Sequence, residues 1–159
     1  MKRIGVFVDV SNLYYTVKTR YQNKVDYSKL LAYISDLGQV RYASAYMAST
    51  GHGSEAFVTH LKSAGYRVTA KLPKTYKNSD GTVKRKCDLD VNICMDVVSQ
   101  TDGLDLIALC TADGDMVPLV NWLIGKNKQV LILGCGISAE LAKIARAIEL
   151  PPSVLEVNV

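Results

Sequence analysis

The sequence predicts a three-layer α/β/α domain on a mainly parallel central sheet, and three observations predict it. Short apolar, β-branched runs alternate with helical stretches along the whole chain of 159 residues. The run at residues 104–111 is almost unbroken in its apolar character, as a strand covered on both faces requires. No linker, repeat or low-complexity stretch interrupts the pattern, so residues 1–159 are expected to form one domain.

The first strand is read at residues 4–10, a β-branched apolar run followed at once by Ser11 and Asn12, both good helix caps. Helices follow at 13–21 and 26–36, the second opened by Asp26 and stopped by Gly38. Residues 39–49 carry Val40, Tyr42, Ala43, Tyr46 and Met47 and read as the second strand. Gly51, His52 and Gly53 form a turn, a helix spans 54–64, and Gly65 ends it. The alternation at 66–72 gives a third strand, and residues 73–86 read as a polar loop with a turn at Asn78–Gly81. Then come a helix at 87–100, the apolar strand at 104–111, a helix at 114–125, a strand at 129–133 and a helix at 138–148. An edge strand is expected at 154–157.

Composition narrows the class. Hydrophobic residues make up 48% and charged residues 21%, the balance of a water-soluble globular chain. No apolar run approaches the roughly 20 residues that a membrane helix needs, and no membrane partner is expected. The apolar stretch after the basic start is cut by Asp9, too early for a secretory signal, so a cytoplasmic location is expected. Cys87, Cys94, Cys110 and Cys135 form no Cys-x-x-Cys pair and lie far from His52 and His60, which argues for reduced structural thiols and against zinc.

The acidic residues fall where chemistry is expected. Ligands of open parallel sheets bind beyond the carboxyl ends of the strands. Asp9 closes the first strand, while Asp113 and Asp115 follow the long apolar strand in Thr111-Ala-Asp-Gly-Asp115. Asp88, Asn92 and Asp96 share one stripe of the helix at 87–100, and Asp90 lies in its first turn. Asp96 sits among Ile93, Cys94, Met95, Val97 and Val98, where a carboxylate is costly unless paired or metal-bound. Like charges about 4 Å apart repel by roughly 4 kcal/mol at an intermediate dielectric, so converging carboxylates need protons or a cation. Asp9, Asp90, Asp96, Asp113 and Asp115 are therefore candidate ligands for Mg²⁺ or Mn²⁺, which take oxygen donors and support attack on phosphate. Each acid also has a plainer role, as a helix cap or a complement to a helix dipole; their joint arrival at one rim favours the metal. Asn12 either orients a water or phosphate oxygen or caps the first helix.

Three segments together carry a resemblance: Phe7-Val-Asp-Val-Ser-Asn12, the Asp90-to-Asp96 helix and Thr111-Ala-Asp-Gly-Asp-Met-Val-Pro-Leu-Val120. In this order they resemble the NYN domain family, in its LabA-like branch, over nearly the whole chain. The resemblance implies a PIN-like nuclease fold and metal-dependent hydrolysis of RNA phosphodiester bonds by an endoribonuclease. The catalytic set it implies is Asp9, Asn12, Asp90, Asp113 and Asp115, with Mg²⁺ or Mn²⁺ as cofactor. Two departures stand out: Thr111-Ala112 replaces the usual Ser-Gly, and residues 145–148 offer no acid ahead of the final strand.

The charge pattern fits a polyanionic partner. The net charge is only +4, but Lys71, Lys74, Lys77, Lys84, Arg85 and Lys86 cluster against the single acid Asp80. These six are the expected RNA-binding residues, with a solvated loop as the plainer alternative. Tyr14, Tyr15 or Tyr76 either stack on bases of a single strand or pack as ordinary half-buried rings. A haloacid-dehalogenase phosphatase would need an acid where Ser11 stands, and a receiver domain a lysine near Gly134-Cys-Gly136. The remaining rival is a catalytically weak RNA-binding or regulatory protein on the same fold. Pairing as a homodimer is left open.

Overall fold

The computed structural model describes residues 1–49 and 53–157, without the side chains of 85 and 86. Its central sheet has six strands: β1 (Arg3–Asp9), β2 (Gln39–Ala48), β3 (Arg67–Lys71), β6 (Leu106–Cys110), β7 (Gln129–Gly134) and β8 (Arg146–Glu149). They lie in the order β3-β2-β1-β6-β7-β8, and every pairing is parallel. The remaining two, β4 (Lys74–Lys77) and β5 (Val83–Lys86), form a separate antiparallel hairpin. The helices are α1 (Val10–Tyr21), α2 (Tyr27–Ser35), α3 (Ser54–Ala64), α4 (Asp90–Gln100), α5 (Val117–Gly125) and α6 (Ala139–Ile144). Among the described residues, no helix is long and apolar enough to cross a membrane.

Strand alternation divides the core into two layers. Ile4, Val6 and Val8 of β1, with Ala108 and Cys110 of β6, join Leu13, Val17, Leu30 and Leu61 from α1, α2 and α3. On the opposite face, Phe7, Ile107, Leu109 and Ile132 join Ile93, Val97, Leu123 and Leu141 from α4, α5 and α6. This is the expected α/β/α sandwich. The chain leaves β1 toward β2 and β3, then returns through α4 to β6 on the other flank, so β1 and β6 border the topological switch. At the amino end of this pair Arg3 forks onto Asp105, donating from its backbone N at 2.8 Å, from Nε at 3.0 Å and from Nη2 at 3.1 Å.

Four boundaries differ from the sequence reading. The expected loop at 73–86 is mostly the β4–β5 hairpin, whose turn is held by Asn78 and Asp80 bonds to Thr82. Both of its faces are exposed, so polar side chains occupy both and no apolar alternation marks the strands. The helix expected from residue 87 begins at Asp90, because the Asp88 side chain accepts from the Asp90 N–H at 2.9 Å in a tight turn. The helix expected at 138–148 stops at Ile144, and Arg146–Glu149 become β8 along β7. In place of the edge strand at 154–157, a 3₁₀ turn at Pro152–Val154 leads to a lone bridge between Leu155 and Val25. Residues 51 and 52 of the expected turn at 51–53 lie outside the described residues. The four cysteines are free, with Cys110 and Cys135 buried.

Candidate metal centre

The site grows from the carboxyl ends of β1 and β6. Asp9 ends β1 and is 8% exposed. Its Oδ1 accepts from the Asn12 N–H at 3.2 Å, so it does cap α1, as one of its two sequence readings held. Burial chiefly, with repulsion from Asp113 and Asp88, pushes its carboxyl above the ordinary range, and the Asn12 bond only partly opposes this. Asn12 in turn accepts at Oδ1 from the Ala112 N–H at 2.9 Å, tying the start of α1 to the turn after β6.

Beyond β6, Thr111 Oγ1 accepts from the Asp113 N–H at 3.2 Å, and Asp113 Oδ1 accepts from the Asp115 N–H at 2.9 Å. Asp113 thereby caps the 3₁₀ turn at Gly114–Met116 that leads into α5. Two glycines make room. A Cβ on Gly134 would lie 2.7 Å from the Thr111 carbonyl oxygen, so only glycine lets the end of β7 approach this turn. A Cβ on Gly114 would meet Ser138 Oγ at 2.9 Å and Glu140 Oε2 at 3.6 Å. Glu140 thus stands beside Gly114, an acid the sequence reading missed. Its only signal was the Ser138 cap, which places Glu140 in the first turn of α6.

Across the rim, the start of α4 brings in Asp90. One carboxylate oxygen from each of Asp90, Asp113 and Asp115 falls within 4.8 Å of the others. Burial first, then the charges of Asp88, Asp113, Asp9 and Asp115, pushes the Asp90 carboxyl up to about 6. Asp88, a second acid outside the expected site set, is the largest of those charges. Among the described residues, the ion pairs are Arg3–Asp105 and Arg20–Glu149, and neither involves Asp9, Asp90, Asp113 or Asp115.

The other expected site residues fall in two places. Asp96 lies six residues along α4 from Asp90, roughly 9 Å along the axis, and accepts from the Tyr46 hydroxyl at 2.7 Å. Its cost in an apolar helix is met by that phenol. Lys71, at the end of β3, donates from Nζ to the Asp88 carbonyl at 3.2 Å and borders the acids. Lys74, Lys77 and Lys84 are exposed on the hairpin, and Lys74, Tyr76 and Lys84 share one of its faces through the Tyr76–Lys84 pairing. Arg85 and Lys86 lie on β5, opposite Thr75 and Lys74.

A six-stranded parallel sheet between two helical layers, with carboxylates gathered at its switch point, defines a three-layer α/β domain whose candidate site is acidic. The NYN domain family model matches residues 3–150, and the chain belongs to that family, whose members are generally nucleases that typically use divalent metals. The chain is similar to the low amplitude and bright protein LabA of Synechococcus elongatus, 24% identical over 141 residues that cover 82% of this chain and 73% of the relative. It is also similar to a protein of unknown function from Vibrio parahaemolyticus, whose crystal structure superposes with a TM-score of 0.83 at 28% identity, covering 98% of this chain and 96% of the other.

Proposed function

We propose that the protein is a metal-dependent endoribonuclease that hydrolyses phosphodiester bonds of single-stranded RNA. The observation that carries this reading is the convergence of Asp90, Asp113 and Asp115, none of which forms an ion pair among the described residues. The donor set is all oxygen, without nitrogen or sulfur, which fits Mg²⁺ or Mn²⁺. Asp90, Asp113 and Asp115 would hold the ion, with Asp9 behind them. When bound, it would activate water and neutralise charge developing on the phosphate.

The chain's own groups would do the rest. Asp9 has Oδ1 engaged by Asn12, which leaves Oδ2 to take a proton from the attacking water. The Asn12 carboxamide oxygen is engaged by Ala112, which leaves its amino group to donate to a non-bridging phosphate oxygen. Lys71 beside the acids and the lysines of the hairpin would hold neighbouring phosphates, fixing the strand without reading its sequence. Asp96 serves through Tyr46 to set the position of α4 rather than as a ligand.

The test is cleavage of a labelled single-stranded RNA in Mn²⁺, Mg²⁺ or EDTA, comparing the wild type with Asp113→Asn. Internal cleavage that needs metal and falls at least about 100-fold in the variant is expected. Absence of cleavage with metal-independent RNA binding retained would instead favour a binding protein on the same fold.

A further inference from the structure

We propose that the cleft between α1 and α3 is a base pocket, which seats one nucleobase of a single-stranded RNA beside the phosphate held at the acidic rim. The proposal rests on the ribonuclease reading for the identity of the strand, and on the cleft itself for the pocket. The cleft encloses about 640 Å³, within the range of small-molecule sites and ample for a base with its ribose. It opens at the same end of the sheet as the acids. Val10 and Ser11 line it and directly follow Asp9, so its near edge is at most about 8 Å of chain from that carboxylate's Cα.

Its surfaces suit a flat heterocycle. Met47, at the end of β2, is 5% exposed, and Phe57 of α3 packs edge-on against buried Tyr27 with centroids 5.7 Å apart, giving a rigid apolar floor. The wall toward α1 is made by Tyr14 and Tyr15, whose rings meet at 81° with centroids 5.4 Å apart. Tyr15 is 68% exposed, a large aromatic face left in water at the edge of an apolar cleft. A stacked base covers such a face at little entropic cost, because the ring is already oriented by its neighbour.

Charge decides between a base and a phosphate as occupant. Lys24 and Glu156 both line the cleft, so its formal charge balances and a neutral ring is favoured over an anion. The backbone between them is fixed, since Glu156 N donates to the Lys24 carbonyl at 2.8 Å. Lys18 lies outside, 5.4 Å from the Tyr14 ring centroid, where a phosphate on the strand leaving the pocket would pass.

The test uses the full chain in EDTA, which separates binding from cleavage, and a fluorescent single-stranded oligoribonucleotide carrying one abasic position at a time. Fluorescence anisotropy at low salt should show one abasic position weakening binding about ten-fold, with its neighbours nearly neutral. Tyr15→Ala should weaken the intact strand by a similar factor and flatten the abasic profile, while Tyr15→Phe keeps both. A uniform profile in the wild type, an intact strand bound equally by Tyr15→Ala, or no binding at all would overturn the pocket. A position-dependent profile in a protein that never cleaves would leave the pocket standing and remove the nuclease reading. Cleavage with a flat profile would do the reverse.

Discussion

The Tyr46 hydroxyl donates to the Asp96 carboxylate at 2.7 Å, which joins the carboxyl half of β2 to the middle of α4. Tyr46 is fully buried, and it lies opposite Asp9 in the β1–β2 register. The bond therefore fixes the helix that carries Asp90 to the strand beside Asp9. Tyr46→Phe should leave the carboxylate short of a partner and cost about 1–3 kcal/mol in urea unfolding. Tyr46→Phe in an Asp96→Leu background should cost clearly less, and equal costs in both backgrounds would show that the two groups do not interact.

The raised carboxyl of Asp90 makes stability depend on pH. Its folded value of about 6 exceeds the ordinary 3.8, so the folded protein holds that proton more tightly. The resulting support is full below about pH 4 and is lost as pH rises through about 6. Screening at this partly exposed group limits the effect to about 1–2 kcal/mol. In EDTA, Asp90→Asn should therefore gain on the wild type between pH 4.5 and pH 7.5. At pH 7.5, added Mn²⁺ should raise the wild-type Tm more than that of the variant.

The hairpin lysines should act through charge alone. Lys74→Glu with Lys84→Glu should weaken single-stranded RNA binding whatever its sequence. Removing two phosphate contacts should also make the slope of log K against log salt shallower by about 1.4. An unchanged slope in a salt titration would remove the hairpin from the interface.

Gly134 and Gly114 should respond differently to alanine. At Gly134 the new methyl meets the backbone of Thr111 and Ala112, which cannot rotate away, and a loss of about 1–3 kcal/mol is expected. At Gly114 it meets the Ser138 hydroxyl, which can turn aside only by giving up its cap on α6, so a loss of about 1 kcal/mol, the worth of that cap, is expected. Urea unfolding of the two variants side by side gives the comparison.

Strand ends were the most legible part of the sequence. Residues 4–10 and 104–111 are short apolar runs with acids at or just beyond their carboxyl ends, and a parallel sheet brings such ends to one rim whatever the strand order. Asp9, Asp113 and Asp115 could thus be grouped without coordinates, while Asp90 entered through its place in the first turn of the helix and through the family resemblance. The hairpin was hidden because strands exposed on both faces carry no apolar alternation. Glu140 and Tyr46 were hidden for another reason. Their relations to Gly114 and Asp96 span 26 and 50 residues, and only the packing of α6 on the turn after β6 and of α4 on the sheet creates them.

The Arg3–Asp105 fork closes one end of the β1–β6 pair, and its hydrogen bonds hold the Asp105 carboxyl well below the usual range. At the other end Asp9 and Asp90 are pushed the opposite way. Laboratory evolution would therefore treat the two ends as separate traits. Selection for resistance to heat in the absence of metal would keep Asp105 and discard Asp90, while selection for the proposed RNA cleavage would keep Asp90 and accept drift at the fork. Sequencing the survivors of each would sort one pair of strands into a half that maintains the fold and a half that is carried at its expense.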